Sequence, residues 1–419
     1  MKILHTSDWH LGARLGRHDR LSDQQAALRG LLNIANETQP DLVLHTGDVF
    51  DGLRPPYEAL HLGVQALARL AAIAPTVVVC GNHDSPQLLR IIHSLAGMAE
   101  ARRLWTVTRP EVLTIPGLDG VAVACVPFIP LTAIADLATD DPARFEGSYA
   151  DGIRHLNERL LTEATEQAGR RGVVLYAAHL HVHDARPGKS ERRITIGEDY
   201  ATHVEGLHRA MYVALGHIHD PQLVPGGTVT GRYAGSLVPI DFGEAVQEKQ
   251  ALVVTITDGD IAVTERPLPA GRPLTEFNGT VDELEALAAD GGLNGHILKA
   301  RVYSDDPITD LADRVLELSP ECAIFDLVNR VANAQVKPVD TSKEADREPD
   351  IRELFTEWRT TSARGITAPH DDVAAMFARA VGGEQVTIAE LGLHDTMVGA
   401  QAALDELAQA RAGAAGKET

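Results

Sequence analysis

Cysteine is scarce in this chain, which has three among its 419 residues. Cys80, Cys125 and Cys322 each lie in an apolar, strand-like run, where any small hydrophobic side chain would pack equally well. Three isolated cysteines build neither a disulfide framework nor a cysteine metal site. The sequence therefore indicates a fold that is held together by its hydrophobic core.

Long hydrophobic runs are also missing. No apolar stretch approaches the roughly 18 residues that a membrane-spanning helix needs. The first residues, Met1 to His5, read directly as a strand and lack the basic, apolar and small-residue pattern of a signal peptide. These two absences predict a cytoplasmic protein.

Positive charge is in short supply, because 38 Lys and Arg residues stand against 59 Asp and Glu residues, a net charge of -21. This balance argues against a protein that holds nucleic acid by bulk electrostatic attraction. Local contact with a phosphate stays possible, since bound metal cations are often the largest charges in a site.

What the chain does contain is a repeated alternation of short apolar strands and amphipathic helices from residue 1 to residue 257, which predicts a layered α/β domain. Helices are predicted over 21–38, 57–73 and 152–167, and a further one after Ser85 and Pro86. Residues 258–336 read as a separate small α/β domain, 337–348 as a polar linker, and 349–419 as a helical tail with exposed aromatic residues.

Side chains that commonly bind metals follow five of the predicted strands. An extended backbone points residues i and i+2 to the same side, so two of these groups can each direct a pair of side chains into one pocket. One Asp-x-His pair is expected by chance, but five such strand ends in succession are strong support for a site. The residues are Asp8 with His10, Asp48, Asn82 with His83, His179, and His217 with His219.

These ligand types indicate the metal and the chemistry. Imidazole, carboxylate and amide groups without thiolate suit Mn, Fe or Zn, and their number exceeds what one ion uses. Two ions about 4 Å apart clamp the attacking and leaving oxygens in phosphate-ester hydrolysis, with Asp48 as the candidate bridge and no serine or cysteine nucleophile. His83 stays outside the ligand count and is predicted to donate a hydrogen bond or proton.

Other polar residues are expected to have ordinary roles. His181 and His183 share a face with His179 and stay open as alternatives or as secondary residues of the site. Asp84 is predicted to help cap the helix that follows it. The remaining histidines considered, which are predicted to be structural or at the surface, are His5, His18, His45, His61 and His93.

Four sequence blocks together resemble the calcineurin-like metallophosphoesterases, and within them the nuclease subunits of ATP-driven DNA-repair complexes. They are Ser7-Asp8-Trp9-His10-Leu11-Gly12, Gly47-Asp48-Val49-Phe50-Asp51, Gly81-Asn82-His83-Asp84-Ser85 and Ala214-Leu215-Gly216-His217-Ile218-His219, followed by Tyr233-Ala234-Gly235-Ser236. The resemblance implies a layered β-sandwich flanked by helices, a small capping domain and a helical tail. It also implies two Mn ions bound by Asp8, His10, Asp48, Asn82, His179, His217 and His219, with His83 catalytic.

The sequence departs from the resemblance at one position and leaves one ligand assignment dependent on position alone. Leu237 stands where relatives have proline, which affects the shape of the local loop. The choice of His179 as a ligand over the neighbouring histidines rests on its position after a strand. Residues that the resemblance makes candidates for phosphate contacts are Arg14, Arg17, Arg54, Lys189, Arg192 and Arg193.

By the same resemblance, the capping domain would guide DNA into the site, the tail would bind the ATPase subunit of the complex, and the nuclease would form a homodimer within a heterotetramer. The function predicted is a Mn-dependent DNA exonuclease and endonuclease that acts on double-strand ends and hairpins. Two alternatives stay open: an enzyme for a small nucleotide or phospholipid ester, and a binding scaffold whose site is structural.

Overall fold

The computed structural model describes residues 1–98, 103–138, 147–188, 190–191, 200–227 and 229–331. Two six-stranded sheets pack face to face in this part of the chain, and helices cover the outer face of each. A small three-stranded sheet follows them. This architecture confirms the predicted β-sandwich flanked by helices.

The first sheet has a parallel centre of four strands, extended at one edge by an antiparallel hairpin. In spatial order its strands are β14 (Asp260–Pro267), β13 (Gln250–Thr257), β1 (Lys2–Thr6), β4 (Leu42–His45), β5 (Thr76–Val79) and β6 (Leu104–Val107).

The second sheet repeats this plan, with four parallel strands between two antiparallel edge strands. Its spatial order is β11 (Gln222–Leu223), β12 (Gly231–Tyr233), β10 (Tyr212–Gly216), β9 (Val173–His179), β8 (Val121–Val126) and β7 (Glu111–Thr114). The carboxyl ends of the central strands in both sheets carry the predicted metal-binding residues.

Successive side chains of a strand point to opposite faces of the sheet, and both faces of the central strands are covered here. Continuous apolar runs therefore form these strands. Ile3 and Val77 point into the core between the two sheets, whereas Leu4 and Val78 point outward against helices. Helices α1 (Leu21–Thr38), α2 (Tyr57–Ile73) and α3 (Pro86–Ala96) cover the first sheet, and α4 (Ile134–Ala138) and α5 (Tyr149–Ala168) cover the second.

Helix ends follow local capping chemistry. Helices α1 and α2 have the predicted bounds. At α3 the Ser85 hydroxyl accepts a hydrogen bond from the backbone N–H of Leu88, with Pro86 in the first turn. Helix α5 begins at Tyr149, three residues before the predicted start, because Ser148 and Asp151 form a capping box.

The hairpin of β13 and β14 turns at the predicted domain boundary, residue 258. Asp258 and Gly259 both have positive φ, 52° and 93°, and form the tight turn of this hairpin. Residues 260–267 therefore continue the first sheet. A tight turn of this kind occurs both between two strands of one sheet and between two domains. The sequence pattern alone therefore does not distinguish a hairpin from a domain boundary.

The small sheet contains three parallel strands with two helices on one face, β15 (Leu274–Thr280), α6 (Val281–Ala289), β16 (Ile297–Ser304), α7 (Leu311–Leu318) and β17 (Ala323–Val331). Helix α7 begins after Asp310, which occupies the N-cap, and Ile308 packs on the core beside the helix.

The small domain is attached to the sandwich through its open face. The short strands β2 (Arg14–Leu15) and β3 (His18–Asp19) form a hairpin that contacts it. Arg17 donates to the carbonyl of Ile324 at 3.0 Å, and Phe325 packs against Phe242 with ring centroids 5.1 Å apart. The predicted linker 337–348 and tail 349–419 lie outside the described residues. Among the helices described, none combines the length and apolar character needed to span a bilayer.

Candidate metal centre

The eight predicted site residues all lie at one edge of the sandwich, where the parallel strands of both sheets end. They form a continuous cluster in which neighbouring polar atoms are separated by 4.0 Å or less. The structure thus brings together residues that follow β1, β4 and β5 of one sheet with the last residue of β9 and residues that follow β10 in the other: Asp8, His10, Asp48, Asn82, His83, His179, His217 and His219.

One half of the cluster is built around His10. Its Nε2 lies 3.0 Å from Nε2 of His219, 3.6 Å from Oδ2 of Asp48 and 4.0 Å from Oδ1 of Asp8. All four side chains are buried. Two imidazoles and two carboxylates that converge in this way are a suitable ligand set for one divalent ion.

The other half is built around His179. Its Nε2 lies 2.8 Å from Oδ1 of Asn82, 3.2 Å from Nδ1 of His217 and 3.4 Å from Oδ2 of Asp48. Asn82 Oδ1 is also 2.9 Å from Nδ1 of His217. Amide, imidazole and carboxylate groups here form a second ligand set.

Asp48 belongs to both halves, because the same carboxylate oxygen faces His10 and His179. Burial alone would raise the pKa of Asp48, but the positive charge and hydrogen bond of His179, with His10 and His83 nearby, hold it well below the usual value. Asp48 is therefore a carboxylate that carries its charge at neutral pH, as a residue that would hold a metal ion must.

The hydrogen bonds behind the histidines show that the cluster fits cations. His179 donates Nδ1–H to the carbonyl of Thr46 at 2.8 Å, and Nδ1 of His10 faces the Asp51 carboxylate at 3.2 Å. The Nε2 atoms of both rings therefore face the shared Asp48 carboxylate and other polar atoms inside the cluster. Acceptors gathered at about 3 Å repel one another unless a positive charge lies between them.

The same electrostatics appear in the histidine pKa values. Burial would lower the pKa of His10, but the bond to Asp51 and the charges of Asp48 and Asp8 raise it to about 9. Burial likewise opposes protonation of His179, and Asp48 raises its pKa to about 9. A site that attracts protons this strongly also attracts metal ions, which bind in competition with those protons.

Backbone conformation marks the site independently of its side chains. Asp8, His10, Asp48 and His217 all have positive φ, between 45° and 96°. This region costs a residue other than glycine on the order of 1–3 kcal/mol, and such strain concentrates at functional sites. Four of the eight residues thus adopt conformations that the surrounding fold imposes.

Two glycines make the close approach of these loops possible. A Cβ on Gly81 would lie 2.1 Å from Oδ1 of Asp48, and one on Gly47, which has φ of +107°, would lie 2.2 Å from Nδ1 of His179. Any side chain at either position would displace a residue of the cluster.

His83 lies at the margin of the cluster. Its backbone N–H donates to Oδ1 of Asp48 at 2.7 Å, and its ring Nδ1 donates to the carbonyl of Asp51 at 2.8 Å. The side chain is 13% exposed, whereas those of His10 and His179 are 1% and 0% exposed. A partly accessible histidine beside the shared carboxylate is well placed to meet a substrate.

The neighbouring histidines occupy different places. His183 stacks near His203 and pairs with Asp184, and neither it nor His181 belongs to the groups of described residues that could hold a metal. His179 is the member of the three whose ring enters the cluster.

Two local predictions are resolved by hydrogen bonds. Asp84 was predicted to help cap α3, and this prediction is wrong. Its carboxylate accepts hydrogen bonds from the backbone N–H groups of Phe50 and Gly81 and so joins two loops of the site. Ser85 takes the capping position instead. Leu237 donates its N–H to the carbonyl of Asp8 at 3.1 Å, a bond that a proline could not make.

The basic residues predicted to contact phosphates differ in their surroundings. Arg54 is exposed, whereas Arg17 is bonded to the small domain through Ile324. Lys189, Arg192 and Arg193 lie outside the described residues.

Sequence reasoning missed the residues that support the ligands. Glu244 and Ser190 contact the ring of His219, Lys249 donates to its backbone carbonyl, and Asp51 contacts the ring of His10. Glu191 accepts from the backbone N–H of His219 at 2.9 Å. No periodic pattern marks these residues, because their contacts with the ligands depend on chain segments far away in sequence.

Comparison with known proteins shows the family of the chain and one of its relatives. Residues 1–221 match the family described as calcineurin-like phosphoesterase. The chain is 32% identical over 289 residues to the SbcD subunit of the nuclease SbcCD of Bacillus subtilis (strain 168), covering 66% of this chain and 72% of that protein.

The solved structures that the chain matches include a dimetal phosphatase from Danio rerio, with 13% identity and a TM-score of 0.43 over 64% of this chain and 96% of that one. Another is the protein TT1561 of Thermus thermophilus, with 12% identity and a TM-score of 0.38 over 63% and 98% of the two chains.

Proposed function

Because this chain belongs to the calcineurin-like phosphoesterase family and is a metal-dependent hydrolase, we propose that it is the nuclease subunit of an ATP-dependent SbcCD-type complex. The proposed reaction is hydrolysis of DNA phosphodiester bonds at double-strand ends and hairpins, in repair, recombination and replication. The observation that carries the proposal is the single cluster in which Asp48 is shared by two ligand sets.

The proposed ligands divide into two sets that share one residue. Asp8, His10 and His219 with Asp48 would hold one ion, and Asn82, His179 and His217 with Asp48 the other. Divalent ions bound there activate water and stabilise the negative charge that develops on the phosphate. Donors without thiolate suit Mn, Fe or Zn. Mn is the proposed ion because the resemblance to the nuclease subunits implies it, with Fe or Zn as the alternatives.

His83 is the proposed catalytic residue. It would donate a hydrogen bond or proton to a phosphate or leaving-group oxygen, because its ring lies beside His10, with centroids 4.7 Å apart, and reaches the surface. The bond from its Nδ1 to Asp51 orients the ring for this role.

The small domain at residues 268–331 is proposed to guide DNA toward the centre. It meets the sandwich at Phe242, over which the ammonium group of Lys299 lies at 5.2 Å from the ring centroid. Arg301 lies on the same strand as Lys299 and lines the same surface depression. These two cations are candidate contacts for a nucleic-acid backbone in a protein whose net charge is negative.

We expect the wild-type protein to cut linear and hairpin DNA with added Mn(II), and to lose this activity in chelator. The assay should be run with and without an SbcC-like ATPase and ATP, and with bis(p-nitrophenyl) phosphate as a small diester. Hydrolysis of the small diester without any cutting of DNA would favour a small-ester enzyme. No metal-stimulated hydrolysis of either substrate would refute the proposal.

The proposed partners are DNA, an SbcC-like ATPase bound through residues 349–419, and a second copy of this chain within a heterotetramer. A surface on α2 and α3 supports the homodimer. Val64 of α2, Ile91 and Leu95 of α3, and Met98 just after α3 are 38%, 56%, 61% and 81% exposed, and the two helices border an apolar cleft of about 500 Å³. An apolar patch of this kind is typical of a protein interface.

Removal of residues 349–419 should abolish co-purification with an SbcC-like ATPase, because the aromatic residues Phe355, Trp358 and Phe377 would be lost. Hydrolysis of bis(p-nitrophenyl) phosphate should persist, since all eight residues of the centre remain. The measurement is a pull-down alongside the small-diester assay. Undiminished capture of the ATPase by the shortened chain would show that the tail is not the binding element.

A further inference from the structure

A buried ion pair lies directly behind the metal centre. Glu244 and Lys249 are 0% and 1% exposed, and Nζ of Lys249 lies 2.7 Å from Oε2 of Glu244. Removing two charges from water is costly, and their mutual attraction often fails to offset that cost. A pair buried so completely therefore suggests a role other than stability.

The contacts of Glu244 divide between its two oxygens. Oε2 accepts from Lys249 and from the hydroxyl of Ser236 at 2.9 Å. Oε1 faces Nδ1 of His219 at 3.3 Å and accepts a short hydrogen bond from the hydroxyl of Ser190. That hydroxyl is itself 2.6 Å from Nδ1 of His219.

We propose that Glu244 is a positioning residue that fixes the tautomer and the ring orientation of His219. The carboxylate and the Ser190 hydroxyl, whose own hydrogen is donated to Glu244, both accept, so the proton of His219 lies on Nδ1. The lone pair is thereby placed on Nε2, which faces His10 at 3.0 Å inside the cluster. This inference rests on the proposed metal centre.

Lys249 completes the arrangement. Besides its bond to Glu244, Nζ donates to the backbone carbonyl of His219 at 3.1 Å and to Gln247 at 2.7 Å. The backbone and the ring of His219 are thus both held by one ion pair. Partners of this kind orient metal-binding histidines, and their loss typically weakens metal affinity by about 10–100-fold.

Glu244→Gln is a sharp test because it should reverse the tautomer. The amide oxygen would face the two donors, Lys249 and Ser236, which leaves the NH₂ group to donate to Nδ1 of His219. The proton of His219 then moves to Nε2, where it blocks a metal. Titration of the metal-free protein with Mn(II) in a calorimeter should show one ion bound as in the wild type and the other about 10–100-fold more weakly.

A second readout is the electron paramagnetic resonance spectrum of bound Mn(II). The wild type should give the signal of two coupled ions, and Glu244→Gln the signal of an isolated ion at the same Mn(II) concentration. Two ions bound by Glu244→Gln with wild-type affinity would overturn the proposal.

A double variant separates positioning from folding. Glu244→Leu combined with Lys249→Met removes both charges and leaves none buried alone. Weak binding of the second Mn(II) should persist in this variant, because His219 still lacks its carboxylate acceptor. Wild-type affinity in the double variant would show that the pair is only structural and would overturn the proposal.

Asp23→Asn is the matched control. Asp23 is a buried carboxylate paired with Arg20 and Arg272 at 3.3 and 3.1 Å, outside the metal centre. This variant should lower the melting temperature and leave both Mn(II) affinities unchanged. A wild-type protein that binds two Mn(II) but cuts no DNA would refute the proposed function and leave the role of Glu244 standing.

Discussion

Asp48→Asn should lower the metal content below two ions per chain and reduce hydrolysis of DNA and of bis(p-nitrophenyl) phosphate by at least about 10³-fold. One carboxylate oxygen of Asp48 faces both His10 and His179, so loss of its charge weakens both ligand sets together. Metal ions supply several kcal/mol of charge stabilisation, and a loss of about 4 kcal/mol corresponds to roughly 10³-fold in rate.

Asparagine is the substitution that isolates the charge. It tolerates the φ of 56° at this position better than alanine does, and its side-chain oxygen can still accept the bond from the N–H of His83. The metal content per chain is measured by elemental mass spectrometry after dialysis. Asp258→Asn, at an exposed turn residue with φ of 52°, is the control for the same change outside the site.

The outcome for Asp48 discriminates between two arrangements of the centre. Retention of two ions per chain with near wild-type hydrolysis would mean that the two ligand sets do not share this carboxylate. Loss of one ion with the other retained at full affinity would place Asp48 in a single set. Combined loss of metal and hydrolysis is the result that a shared ligand requires.

Much of the sandwich could be predicted because its determinants are local. Runs such as Val77 to Val79 are apolar on both faces, as strands between two layers must be. At the ends of β4, β5 and β10 a glycine precedes the polar residues. Helices α1 and α2 carry the 3.6-residue period over their whole length. The convergence of the eight residues then follows from parallel strands, whose carboxyl ends lie at one edge of a sheet.

What could not be predicted depends on partners that are distant in sequence. Glu244 follows His219 by 25 residues and Ser190 precedes it by 29, and only the fold brings them together. The position of Asp84 before α3 is typical of a helix cap, but the nearby N–H groups of Phe50 and Gly81 bind it instead. The partition of the strands into two sheets is likewise set by tertiary packing.

Asp51 shows how a sequence block can contain a residue without indicating its role. It is the last residue of the block that begins at Gly47. The structure shows that its carboxylate contacts Nδ1 of His10 while its backbone carbonyl accepts from Nδ1 of His83. One residue therefore orients a proposed ligand and the proposed catalytic histidine, which places the two rings 4.7 Å apart.

His83→Ala should keep two ions per chain and lower the turnover of DNA and of the small diester by about 10²–10⁴-fold, the usual contribution of a proton donor in the transition state. The metals should remain because the bond from residue 83 to Asp48 uses the backbone N–H, which alanine retains. Metal content and turnover are measured on the same preparation.

His155→Ala is the matched control, since His155 is an exposed histidine whose Nδ1 also donates to a backbone carbonyl, that of Asp151, at 2.8 Å. It should leave turnover and metal content unchanged. His83 also lies near His10 and Asp48 in a group that could hold a metal, so the two measurements decide its role. Loss of an ion in His83→Ala would show that His83 is a metal ligand. Unchanged turnover would show that His83 takes no part in the reaction. Full metal content with low turnover is the result expected of a residue that acts on the substrate.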